Sequence, residues 1–187
     1  MFTAEQLRKQ NIAEYLLYMW QIEDLIRAND CDIEKIKANV IPTYGVDADN
    51  SAELTNWFAD LIDMMRAEDV MKTGHLQINK NVIINLVDLH TMLLRSTKYP
   101  GYGAEFYRTL PFIVELRARA GENKSGEIET CFNALYGILL LRMQHKEISK
   151  QTLEAVTQIT KFVSTLAHYY HKDKISPLFD KEDYDNL

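Results

Sequence analysis

Glu23, Asp88, Arg142 and His145 stand within or at the ends of strongly apolar helical text. Burying such groups without partners costs a few kcal/mol each, so their neighbours decide what they do. Brought together, the four would line a pocket for a charged small ligand. Paired instead, Glu23 or Asp88 with Arg142 would make an interhelical ion pair that fixes register, and this is the favoured use. His168 and His171 are three residues apart and could face one metal ion from the last helix, with Asp173 nearby. Two histidines near a helix C-terminus also complement the helix dipole, and this account is preferred. The chain has no Glu-x-x-His pair, no His-Glu-x-x-His, no Cys-x-x-Cys and no glycine-rich phosphate loop. Neither a metal nor a cofactor is therefore expected. Cys131 sits beside Phe132 in helical text and reads as a buried inert thiol. Ser125-Gly126 lacks the Gly-x-Ser-x-Gly setting of a hydrolase elbow. Whether the protein is an enzyme stays open.

Aromatic residues offer a different use. Tyr99 and Tyr102 flank Pro100-Gly101, read as a turn that exposes both rings, and Trp20 widens the apolar surface of the opening helix. Large rings with polar handles suit subunit contacts, which makes these three the interface candidates.

The elements that would position these groups are helices. From Thr3, read as a cap, to Arg27, Ile12, Tyr15, Leu16, Met19, Ile22 and Ile26 recur at spacings of three and four, and Leu17, Trp20 and Leu25 extend the surface. Such a helix has to be covered on more than one side. A short second helix follows in DCDIEKIKANV, and IPTYGVDADN is a connecting loop around Pro42 and Gly45. A third helix is predicted to start at Asn50, with Glu53 completing a capping box, and to stop at Gly74. The fourth runs through NKNVIINLVDLHTMLLRS, again apolar on more than one face. In the fifth, AEFYRTLPFIVELRARAG, Pro111 kinks or breaks the helix before Gly121 ends it. EIETCFNALYGILLLRMQH is the sixth, and the seventh begins at Ser149.

A chain of 187 residues fits one domain, with 1–175 as a helical bundle and 176–187 as an acidic tail. Acidic residues number 27 against 21 lysines and arginines, a net charge of -6, which argues against nucleic-acid binding because a backbone-binding face needs concentrated positive charge. The longest apolar run, Ala134 to Leu141, is far short of the roughly twenty residues that cross a bilayer. No export signal is read at the start of the chain, where Glu5, Arg8, Lys9 and Glu14 interrupt the apolar text. Two cysteines in apolar settings suit a reducing compartment, so a cytoplasmic protein is expected.

The segments NIAEYLLYMWQIEDLIRA and LRARAGENKSGEIETCFNALYGILLLRMQHKEIS resemble a helical family from Bacteroidota that is defined as a domain of unknown function and is about the length of this chain. That resemblance implies a bacterial intracellular protein and carries no catalytic residues to these positions. The expected fold is an all-α, single-domain bundle of six or seven helices, with the long first, fourth, sixth and seventh helices central. The expected function is structural or regulatory, acting as a homodimer or through another protein partner. A small-molecule-binding protein or an enzyme with an interhelical polar pocket, a metal-dependent one included, is the alternative.

Overall fold

The computed structural model describes residues 2–119, 125–180 and 183, so the expected stop at Gly121 lies outside the described residues. These residues form eight α-helices and one short 3-10 helix, with no strand among them. The helices are α1 (Phe2–Gln10), α2 (Ile12–Ala28), α3 (Ile33–Asn39), α4 (Ala48–Ala67), α5 (Gln77–Arg95), α6 (Pro100–Arg119), α7 (Glu127–Met143) and α8 (Lys150–Ile175). Apolar periodicity alone predicts six or seven. The extra one arises because the opening helix is divided at Asn11, whose side-chain oxygen accepts the Ala13 N–H at 3.1 Å and so caps α2 locally. The all-α class agrees with the sequence.

Several boundaries differ for identifiable reasons. Phe2 already belongs to α1, so Thr3 is not its cap. α4 starts at Ala48 rather than after a cap at Asn50, because the Asp47 carboxylate accepts the Asn50 N–H at 2.9 Å and is itself the cap. It ends at Ala67, with Asp69 in the left-handed region at φ 55°, well before Gly74. α6 begins at Pro100 itself. Proline is well suited to the first helical position, where its missing N–H costs nothing, and the helix then runs unbroken through Pro111. Ser149 caps α8 as expected, accepting the Thr152 N–H at 3.2 Å.

The residues fall into two compact units, one built mainly from Glu14–Asn81 and the other from Val82 onward. In the first, α3 packs on α4 and on the 3-10 turn Ile41–Tyr44, around Ile36, Phe58 and Met65. In the second, α6, α7 and α8 pack on one another, so the fifth helical segment joins the packed set. Its core holds Phe106, Ile113, Phe132, Ile159, Phe162 and Leu166, all nearly or wholly shielded from water. The tail joins this unit through Phe179, which is buried with its ring centroid 5.7 Å from that of Tyr99, edge to face.

α7 carries Gly137 in its interior, and a Cβ placed there meets no atom within 4 Å. Gly137→Ala removes backbone freedom from the unfolded chain without a clash. Thermal denaturation is expected to show a gain of about 0.5–1 kcal/mol.

Candidate functional site

Glu23 is fully buried in α2, and its carboxylate holds three groups from a distant part of the first unit. Oε1 accepts the Leu76 N–H at 2.9 Å and an Asn79 side-chain N–H at 2.7 Å, while Oε2 lies 2.5 Å from His75 Nδ1. Trp20, one turn earlier on α2, stacks on the His75 ring with centroids 4.2 Å apart and planes 13° from parallel. Arg27, one turn later, donates to the carbonyls of Val70 and Gly74 and to Asp24. One face of α2 thus fastens the irregular chain from Val70 to Leu76 and the first turn of α5.

The second unit holds two polar arrangements. His90 on α5 and Tyr102 on α6 share a 2.6 Å hydrogen bond between Nδ1 and Oη, and both are buried among Phe106 and Phe162. The other imidazole nitrogen has no hydrogen-bond partner, with a Glu127 carboxylate oxygen 4.0 Å away. Burial pushes the His90 pKa down to about 4, so the ring is neutral at pH 7. Burial also raises Tyr102, and it pushes Cys131 up to about 12 with the Glu127 charge adding, which leaves a protonated, unreactive thiol.

Glu105 on α6 sits at the border of this core with a side chain 9% exposed. The Lys161 ammonium at 2.9 Å holds its carboxyl below the usual carboxylate range. Gln158 and the Arg108 charge add to that effect, and burial opposes it. Gln158 donates to Glu105 at 2.6 Å and to the Thr109 hydroxyl at 3.1 Å, so α8 grips α6 at two adjacent turns.

With its inner face held by Tyr102, Glu105, Phe106, Thr109 and Ile113, α6 presents a defined outer face. Pro100, Ala104, Tyr107, Pro111, Val114 and Ala118 are all exposed, and their spacings of four and three repeat along the helix. None is charged. Tyr107 is 66% and Val114 56% exposed, among the highest values for large apolar side chains here. An uncharged seam running the length of a solvent-facing helix is the most unusual surface of the second unit.

The residues singled out from sequence fare differently. Asp88, Arg142 and His145 are exposed, whereas Glu23 is buried with partners of its own. His145 lies just past the end of α7 in the left-handed region, at φ 53°. His168 and His171 are exposed on α8, and among the described residues no group of three or more His, Cys, Asp or Glu is placed to hold a metal ion. Trp20 is 2% exposed and Tyr102 1%, which corrects their reading as contact residues: the start of α6 at Pro100 turns Tyr102 inward. Tyr99 is half-buried, its ring edge-on to Tyr169 at 5.2 Å and its hydroxyl donating to the Leu178 carbonyl at 3.4 Å. Sequence reasoning missed His75 and Asn79 as partners of Glu23. It also missed the α6 seam, although the spacing of its uncharged positions was legible.

These features define an all-α domain whose buried polar groups fasten helices together and whose most unusual surface is apolar. No helix is long and apolar enough to cross a membrane among the described residues. The chain belongs to the family described as Domain of unknown function (DUF4924), whose model matches residues 1–176. No curated protein and no solved structure matches it.

Proposed function

We propose that this protein acts by association, docking the outer face of α6 against a second copy of the chain or against a helix of another protein. The observation that carries the reading is the uncharged seam Pro100, Ala104, Tyr107, Pro111, Val114 and Ala118, exposed along one helix whose inner face is fully engaged. A self-pairing is sterically simple. Antiparallel contact centred at the level of Thr109 sets Pro100 opposite Ala118, Ala104 opposite Val114 and Tyr107 opposite Pro111, the same patch serving both copies. Two buried free cysteines support a reducing, cytoplasmic setting for such a protein.

Light scattering over a range of micromolar concentrations tests the reading. The wild-type chain is expected to reach twice the one-chain mass, and Tyr107→Glu combined with Val114→Glu is expected to stay at the one-chain mass with unchanged helicity. Both substitutions are at exposed positions, so folding is spared. A double variant that associates like the wild type would place the contact elsewhere. A wild-type chain that stays single and captures no helical partner through this face would end the proposal.

A further inference from the structure

We infer that a cavity between α6, α7 and α8 is a binding site for an apolar small molecule with one hydrogen-bonding end. The inference goes beyond the association reading and is independent of the α6 seam. The cavity has a volume of about 480 Å³ and is lined by Phe112 and Leu116 of α6, by Gly137 and Leu141 of α7, and by Ala155 and Ile159 of α8. It opens to solvent on one side, where Glu115, Arg119, Gln144 and Gln151 are exposed, and narrows to the buried Ile138, Val156 and Ile159.

Its origin lies in side-chain choice. Ala134, Gly137 and Ala155 face it from two helices, and a Cβ added at Gly137 would still touch nothing. From Ala134 to Leu141 α7 carries no charged residue, yet Leu140 and Leu141, which line the cavity, are only half-buried.

Water is a poor occupant. Water against its inner walls meets carbon and few polar partners, so an apolar group that displaces it gains by leaving water. Polar groups stand only at its margin, where Glu115 and Arg119 form an ion pair at 2.5 Å and Gln144, Gln151 and Thr152 contribute uncharged donors and acceptors. Gln144 and Gln151 are exposed, leaving their amides accessible to a ligand's polar end. Since an apolar cavity of about 150 Å³ admits benzene, one about three times larger has room for roughly eighteen nonhydrogen atoms. The size and the one-sided polarity together select a single short amphiphile, tail inward.

Titration calorimetry with dodecanoate, kept below the concentration at which it forms micelles, tests the inference on the full chain. One molecule bound per chain is expected. Ala155→Phe fills the cavity and is expected to weaken binding at least tenfold, with helicity by circular dichroism and the melting transition retained. Gly137→Leu provides the same block from α7 if Ala155→Phe disturbs folding. The Tyr107→Glu, Val114→Glu double variant is expected to bind dodecanoate as the wild type does, so failure of association and failure of the cavity are read separately. Absence of binding to the wild-type chain, binding of several molecules per chain, or affinity unchanged in folded Ala155→Phe and Gly137→Leu would each overturn the inference.

Discussion

Replacing Glu23 by alanine is expected to remove about 3–5 kcal/mol of stability, seen as a lower urea midpoint for the transition that reports on α2. The magnitude follows from what the carboxylate holds. The Leu76 N–H and the Asn79 amide both donate to one oxygen in a place closed to water, and the partly exposed His75 lies against the other. Truncation leaves those donors buried without acceptors, at about 1–3 kcal/mol for each unsatisfied group. Glu23→Gln is expected to lose less. Its amide oxygen still accepts from Leu76 and Asn79, and only the side facing His75 changes character. A loss below about 1 kcal/mol in Glu23→Ala would mean that the chain from Val70 to Leu76 is held by Arg27 alone.

Stability is also expected to fall as the pH drops from about 6.5 towards 4, by about 3 kcal/mol, on account of His90. The sign follows from the direction of the shift. Burial lowers the folded-state pKa to about 4 from 6.5, so across this window the unfolded chain takes up a proton that the folded one refuses. The contribution is fully present above pH 6.5, and it is lost as the pH falls through the folded-state value. Protonation would leave a charge among Tyr102, Phe106 and Phe162 with only the Glu127 carboxylate, at 4.0 Å, to answer it. Urea titrations at a series of pH values should show the slope, and His90→Phe should flatten it. Glu105, whose pKa is lowered by Lys161, adds a separate loss that begins below about pH 4.5. An unchanged slope in a folded His90→Phe chain would mean that other groups control the acid side.

The helical class was legible because apolar residues recur with the period of a helix in long stretches, and Ser149 was legible because a serine cap leaves a local signature. Glu23 was recognisable as a group in need of partners. Those partners were not recognisable, because His75 and Asn79 lie more than fifty residues away, in and after an irregular segment whose path no periodicity reveals. Tyr102 was misplaced for a local reason. Pro-Gly is common in turns, but the same proline also opens helices, and only packing against Phe162 and Tyr169 distinguishes the two. The spacing of the α6 seam was in the sequence, but Pro111 suggested a kink or break, so its two halves were not joined into one face. Asp88, Arg142 and His145 looked notable because the text before them is apolar, yet all three fall on outward positions, where Val87 beside Asp88 and Met143 beside Arg142 are exposed as well.

Pro111 has one more consequence. A proline in the body of α6 supplies no amide hydrogen, so the carbonyl oxygen of Tyr107, four residues earlier, loses the donor that a regular helix would give it. That oxygen belongs to an outward position, where bulk solvent satisfies it in the free chain. Any molecule that covers this strip must either bring a hydroxyl or amide group to the same spot or trap a water there. Greasy contact alone would leave a thirsty acceptor at its centre, and this sets a chemical condition on what α6 can receive.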